Sequence, residues 1–127
     1  IALFVVLALI IKTEIESRVS GVAQTRPMEA VRLMDEDGML ILDVRETSEY
    51  SSGHLRQAMH IPLSALKSRM NELEKYKGKT VLAYCRSGQR SNSACRQLKK
   101  AGFEKVHNLA GGVIAWGSAN LPVTKKS

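Results

Sequence analysis

The chain has 127 residues and a net charge of +7, and 44% of its residues are hydrophobic. This length suits one compact domain and excludes two, and the apolar content excludes disorder over most of the chain. The positive charge would suit nucleic acid, anionic lipid or a small anion as a partner. Nucleic acid is disfavoured, because the single Trp, three Tyr and two Phe provide no stacking platform that alternates with basic residues.

The N-terminal segment, residues 1–11, is entirely apolar. It is too short to cross a bilayer, which requires about 20 residues. Because the sequence begins with Ile rather than Met, we expect this segment to be the end of a truncated transmembrane helix. Residues 1–21 are therefore predicted to be a partial anchor with its juxtamembrane linker, and residues 22–127 to form the domain. A signal peptide and a buried core helix are the alternatives; residues 12–16 contain no small-residue cleavage site.

The first part of the domain predicts a helix, a strand and a helical turn. Thr25 is suited to cap a helix whose first turn contains Pro27, and Gly38 ends this segment. The apolar run over residues 39–44 (MLILDV) predicts a strand that is buried on both faces of a parallel sheet. Residues 46–51 are predicted to form a short helical turn.

The middle of the chain predicts two further strands and a second helix. Residues 58–61 are predicted to form a brief strand, and Pro62 is predicted to begin the helix. The apolar stripe of this helix consists of Leu63, Leu66, Met70 and Leu73. Residues 80–84 (TVLAY) predict another buried strand, which ends at Cys85.

The last part of the domain completes the alternation of strands and helices. We predict a third helix over residues 91–101 with Gly102 as its left-handed C-terminal cap, a strand over residues 105–109, and a final helix that begins at residues 113–116. This order predicts an α/β fold, a parallel sheet flanked by helices on both faces. Ligands of such sheets bind beyond the carboxyl ends of the strands, where Cys85 lies.

The loop after this strand, residues 85–91 (CRSGQRS), contains the candidate catalytic residue, Cys85. The following helix start and a tight turn at Gly88 direct N–H groups toward an anion, and Arg86 and Arg90 add full charges. Together these groups favour the thiolate of Cys85, which is the nucleophilic form. The predicted substrate-binding residues are Arg86, Ser87, Gly88, Gln89 and Arg90.

The remaining candidate groups favour structural roles. Cys95 shares the inward helix face with Ala94 and Leu98, which predicts core packing. Cys85 could also be a small buried residue, but its position at a strand end, before a glycine and two arginines, disfavours that interpretation. No metal site is predicted, because no ligand set is formed by Glu14, Glu16, His54, His60 and His107.

Several spaced motifs of the chain resemble a known family. They are Asp43-Val44-Arg45, Glu49-Tyr50, Gly53-His54-Leu55, His60-Ile61-Pro62, the loop from Cys85 to Ser91, Gly102-Phe103, Val106, Leu109-Ala110-Gly111-Gly112, Trp116 and Leu121-Pro122. With these motifs, residues 39–122 resemble a single-domain rhodanese-like sulfurtransferase. One departure lies at residues 56–60 (RQAMH), where the family usually has a Gly-Ala pair followed by Asn; we interpret it as a change in a structural turn.

The resemblance implies the rhodanese-like fold and a sulfurtransferase reaction. Sulfane sulfur would pass from a donor such as thiosulfate or a persulfide to a thiophilic acceptor through a persulfide on Cys85, with no metal or organic cofactor. The implied partners are a small sulfur-containing anion and a protein sulfur donor or acceptor. Asp43, Arg45 and Glu49 would tie the end of the sheet to the following helix.

The apolar N-terminus makes the layout similar to membrane-anchored bacterial members of the family. We expect a single-pass protein of the inner (plasma) membrane with its domain in the cytoplasm. A thiolate enzyme suits that reducing compartment, two cysteines are few for a secreted domain of this size, and a basic domain suits the anionic cytoplasmic leaflet.

Two other functions compete with this prediction. Phosphatases of similar architecture place five residues between the cysteine and the arginine of the loop, whereas four separate Cys85 from Arg90, so the smaller loop favours a sulfur substrate. The second alternative is a membrane-tethered interaction module, or a sulfur relay for a membrane partner. Many such modules lack the cysteine, and its presence here favours activity.

Overall fold

The computed structural model describes residues 3–8 and 21–126. Residues 3–8 are helical and exposed. In the described part of the chain, no helix is long and apolar enough to cross a membrane. The rest of the predicted anchor and linker, residues 1–2 and 9–20, lies outside the described residues.

A five-stranded sheet forms the centre of the domain, and all of its strands are parallel. The strand order is β1-β5-β4-β2-β3. The strands are β1 Val22–Thr25, β2 Leu40–Asp43, β3 Met59–His60, β4 Thr80–Tyr84 and β5 Lys105–Leu109. The parallel sheet and its four later strands were predicted, whereas β1 was not.

Three α-helices and two 3₁₀ helices connect these strands, and a fourth α-helix follows the last strand. They are α1 Pro27–Leu33, α2 Thr47–Ser52, the 3₁₀ helices Leu63–Ala65 and Met70–Tyr76, α3 Gln89–Lys100 and α4 Gly112–Ser118. α3 begins at Gln89 rather than at the predicted Ser91. Its predicted end is confirmed: Gly102 has a φ of +103°, and the next N–H, that of Phe103, bonds to the carbonyl of Leu98 at 3.1 Å.

Alternate residues of the strands feed two cores on opposite faces of the sheet. Along β4, Val81 and Ala83 pack on the face covered by α3 and the 3₁₀ helices, whereas Leu82 and Tyr84 pack on the face that α1 and α4 cover. All five residues of β4 are buried. The predicted arrangement of helices on both faces is therefore confirmed.

Two local predictions were wrong. Thr25 does not cap α1; it ends β1, and its hydroxyl lies 2.9 Å from Nδ1 of His107. Arg26 precedes the helix without a side-chain cap, and the fixed φ of Pro27 begins it. The helix predicted after Pro62 winds as two 3₁₀ segments instead of one α-helix.

Candidate active site

Cys85 follows the last residue of β4 and is separated from α3 by three residues, of which the last is Gly88. Gly88 has a φ of +103°, in the region that favours glycine, and this conformation reverses the chain into the helix. The N–H groups of Val113 and Ile114 bond to the carbonyls of Cys85 and Arg86 at 2.9 and 3.2 Å. The first turn of α4 thus holds the loop from the other side.

This close approach depends on the small size of Gly112. A Cβ atom at this position would overlap the backbone of Cys85 and Arg86, and its φ is +58°. The Gly111-Gly112 pair, seen in the sequence as part of a family motif, therefore lets α4 dock directly against the loop.

The sulfur of Cys85 accepts hydrogen bonds from two groups of its own loop. The N–H of Gly88 lies 3.1 Å from Sγ, and the hydroxyl of Ser91 lies 3.3 Å from it. Burial by itself would raise the pKa of the thiol, but hydrogen bonds from the Ser91 side chain and from backbone N–H groups of Ser91, Gly88 and Ser87 outweigh it and lower that pKa. The predicted preference for thiolate thus has a geometric basis in the loop.

The two arginines of the loop differ in their surroundings. Arg86 is exposed, and its side chain forms no ion pair with a described residue. Arg90 is held by Glu49 through two hydrogen bonds of 2.7 and 2.9 Å. This bonding lowers the pKa of Glu49 to about 2. Arg90, which we predicted to add a full charge near the sulfur, is therefore paired with a carboxylate.

The exposure of the loop residues is uneven. Cys85 is only 1% exposed and belongs to the core under α3, whereas Arg86, Ser87 and Gln89 are exposed and Gly88 is buried. Cys85 is thus a core residue, although its thiol lies at a strand end and accepts hydrogen bonds. The expectation that it lies outside the core was wrong. A substrate must reach a sulfur that is almost fully covered.

Sequence analysis missed a polar chain behind the sulfur. The Ser91 hydroxyl lies 2.5 Å from Oδ1 of Asn108 in β5. Nδ2 of Asn108 donates to Gln24 at 2.9 Å, and Gln24 donates to Asn92 at 3.1 Å. The only signal for this chain was Ser91 in the loop motif, because Gln24 and Asn108 lie on strands whose pairing had to be known first.

A buried network ties the end of β2 to the next elements, as the resemblance implied. Arg45 donates to both carboxylate oxygens of Asp43 and to the carbonyl of Gly53, at 2.7–3.1 Å. The hydroxyl of Tyr84 donates to Asp43 at 2.7 Å and accepts the N–H of Leu55 at 3.0 Å. Burial, with the charge of Asp43 beside it, raises the pKa of Tyr84 far above its ordinary value, so this hydroxyl stays protonated.

Cys95 has the surroundings of a structural thiol. It is fully buried in the core under α3, and its Sγ lies 3.6 Å from the carbonyl oxygen of His107. Burial raises the pKa of this thiol to about 12. The predicted packing role is confirmed, and Cys95 is protonated at neutral pH.

Metal ligands are not grouped in the part of the chain that the structure describes: no three His, Cys, Asp or Glu side chains there could hold an ion together. A thiol with a lowered pKa, at the carboxyl end of a central parallel strand and at the start of a helix, has the surroundings that nucleophilic chemistry by a cysteine requires.

The sequence profile of the rhodanese-like domain family matches residues 27–119, and the chain belongs to that family. This match includes the loop around Cys85, both halves of the Asp43–Tyr84 network and the Gly111-Gly112 pair. Sulfur transfer is the general chemistry that this membership supports.

Individual proteins and a solved structure are also similar to this chain. An uncharacterized protein of Synechocystis, slr1261, is 38% identical over 99 residues, which are 78% of this chain and 54% of that protein. A sulfurtransferase of Allochromatium vinosum is 39% identical over 92 residues, 72% of this chain and 84% of that protein. The crystal structure of a rhodanese-related protein from Thermoplasma volcanium matches with a TM-score of 0.72 and 26% identity, covering 82% of this chain and 99% of that one. The chain thus spans about half the length of the first of these relatives.

Proposed function

We propose that the protein is a sulfurtransferase in which Cys85 carries sulfane sulfur as a persulfide. The observation that carries this proposal is the Sγ of Cys85 accepting hydrogen bonds from Gly88 and Ser91, which favours the thiolate without a separate general base. The covered sulfur favours small or slender donors, such as thiosulfate or the terminal sulfur of a persulfide.

The proposed reaction has two steps that balance. The Cys85 thiolate attacks the outer sulfur of thiosulfate; the S–S bond of the donor breaks, and sulfite leaves with the electron pair. The resulting persulfide anion then gives its outer sulfur to a thiophilic acceptor such as cyanide, which forms thiocyanate and regenerates the thiolate. No net oxidation or additional reactant is required.

The loop residues have separate roles in this proposal. The exposed Arg86 attracts and orients the anionic donor, and Ser87, Gly88 and Gln89 provide the backbone that surrounds the transferred sulfur. Arg90, paired with Glu49, keeps the loop in place and adds only part of its charge.

The test is turnover of thiosulfate and cyanide to thiocyanate by the wild type, Cys85→Ala and the matched control Cys95→Ala. We expect Cys85→Ala to be inactive and Cys95→Ala to keep turnover within a few-fold of the wild type. The proposal is wrong if Cys85→Ala retains activity, or if the wild type turns over neither thiosulfate nor a low-molecular-weight persulfide.

We further propose that residues 1–11 form part of a single-pass anchor in the plasma membrane, with the domain in the cytoplasm. The support is the uninterrupted apolar sequence of this segment. There the protein would relay sulfur to or from a membrane partner. Deletion of residues 1–18 should leave turnover in solution unchanged and move the protein from the membrane fraction to the soluble fraction; equal membrane recovery of both forms would contradict the anchor.

A further inference from the structure

Ser91 has one hydroxyl proton and two acceptors within reach. Its Oγ lies 2.5 Å from Oδ1 of Asn108 and 3.3 Å from Sγ of Cys85. Ser91 is fully buried and Asn108 is 2% exposed, so water does not supply a second donor to either group. A hydroxyl donates only one hydrogen bond, and the two acceptors therefore compete for it.

The orientation of the Asn108 amide is fixed by a backbone carbonyl. Nδ2 of Asn108 lies 3.1 Å from the carbonyl oxygen of Gly88, which only accepts. The NH₂ group must face Gly88, and Oδ1 must face Ser91. The same choice orients Gln24, whose Oε1 accepts from Asn108 at 2.9 Å. An exchange of oxygen and nitrogen that would relieve the competition is therefore ruled out.

We propose that Asn108 is a positioning residue that competes with the sulfur of Cys85 for the proton of the Ser91 hydroxyl. When Cys85 is a thiol, its S–H donates to Oγ of Ser91, and Ser91 donates to Asn108, so every group is satisfied. When Cys85 is a thiolate, Ser91 must turn its proton to the sulfur. The oxygens of Ser91 and Asn108 then face each other without a proton between them.

The competition destabilises the sulfur-free thiolate of Cys85 more than its persulfide. This step rests on the proposed function. In the persulfide the negative charge lies on the outer sulfur, and Sγ no longer requires the Ser91 proton. Asn108 thus weakens the stabilisation of the empty thiolate and leaves the loaded form unaffected. The arrangement favours loading of sulfur onto Cys85.

The charged and titratable groups around Cys85 do not obscure this effect. Arg90 interacts with Cys85 electrostatically and is paired with Glu49, and Cys95 is a protonated thiol in the same core. Replacing neutral Asn108 changes none of these charges. The carbonyl of Gly88 also keeps the N–H of Asn92 as a partner at 3.1 Å, so the loop does not depend on Asn108 alone.

The experiment measures the rate at which iodoacetamide, a neutral reagent, alkylates Cys85 of the full chain as a function of pH. We expect Asn108→Ala to lower the midpoint of this profile by roughly half to one pH unit, Ser91→Ala to raise it, and Asn108→Ala to have no effect in the Ser91→Ala background. The matched control Asn92→Ala, at the outer end of the chain, should leave the midpoint unchanged.

An unchanged or higher midpoint in Asn108→Ala would overturn the proposal, because a purely structural role would loosen the loop and weaken the thiolate. If Asn108→Ala does not fold, Asn108→Leu, which keeps the number and branching of the side-chain heavy atoms, carries the same expectation. A further measurement needs no variant: the side-chain amide signals of Asn108 in ¹⁵N spectra should shift as Cys85 titrates, and constant signals would contradict the competition. Alkylation does not require sulfur transfer, so failure here is distinguishable from failure of the proposed function.

Discussion

Arg90 donates a hydrogen bond from each terminal nitrogen to the carboxylate of Glu49, at 2.7 and 2.9 Å. Glu49 also accepts the N–H of Glu46 at 3.0 Å, which closes a capping box at the start of α2. The first turn of α2 is thereby joined to the first turn of α3, next to Cys85. One carboxylate thus stabilises a helix terminus and holds the loop of Cys85.

This pair predicts a specific dependence of stability on pH. The pKa of Glu49 falls from an ordinary 4.5 to about 2 in the folded protein, so its contribution is complete above about pH 4.5 and disappears as the pH falls through 2. The side chains are about a third exposed, and we expect Glu49→Gln to lose about 1–2 kcal/mol at pH 7. The measurement is the free energy of unfolding in urea for the wild type and Glu49→Gln. If the difference between them does not shrink between pH 5 and pH 2, the ionised Glu49 carboxylate is not its cause.

Arg86 is predicted to act on anionic donors only. Removing its exposed charge in Arg86→Ala should raise KM for thiosulfate about tenfold, with little change in the free energy of unfolding or in alkylation by neutral iodoacetamide. Arg90→Ala should instead destabilise the fold, because it leaves Glu49 without its partner. If both substitutions change KM and the free energy of unfolding equally, the separate roles of Arg86 in donor binding and of Arg90 in stability are contradicted.

Gly112 is predicted to be essential for the position of the loop. In Gly112→Ala the new Cβ would overlap the backbone of Cys85 and Arg86, which should cost about 3 kcal/mol and most of the turnover. The matched control is Gly117→Ala in the same helix, where a Cβ meets nothing within 4 Å; it should stabilise the protein by about 0.5–1 kcal/mol. Similar unfolding curves for both variants would refute the close approach.

The hydroxyl of Tyr84 is predicted to be a structural group. Tyr84→Phe leaves the N–H of Leu55 without an acceptor and removes one donor from buried Asp43, which should cost about 2 kcal/mol. Tyr76→Phe is the control, because the Tyr76 hydroxyl makes no hydrogen bond to a described residue, and it should change stability by less than about 0.5 kcal/mol. We expect the pH profile of Cys85 alkylation to be the same in both variants.

The parts of the fold that were predicted from sequence are those with strong local patterns. The runs at residues 39–44 and 80–84 are buried on both faces, and such strands have a continuous apolar signature. β1 was missed because it is only four residues long and its two central residues, Ala23 and Gln24, are exposed. The segment after Pro62 was predicted as an α-helix, since an apolar spacing of three and four residues does not distinguish an α-helix from a 3₁₀ helix.

Only the part of the candidate site that lies in one continuous segment of the chain could be predicted from sequence. Cys85, Gly88 and the start of α3 lie in one short segment, so the strand end, the turn and the donors could be derived from it. The partners of the loop come from elsewhere: Glu49 lies in α2 and Asn108 in β5. Their contacts require the strand order, which no local pattern contains, and the pairing of Arg90 with Glu49 was missed for that reason.

The most direct test of the central claim is to locate the transferred sulfur. The wild type is incubated with thiosulfate, freed of excess donor, and analysed by intact mass and by peptide mapping without reduction. We predict a mass increase of one sulfur atom on the peptide that contains Cys85, and its complete removal by cyanide as thiocyanate. Sulfur bound at Cys95, or none bound to a folded protein with either thiosulfate or a low-molecular-weight persulfide as donor, would contradict a persulfide on Cys85.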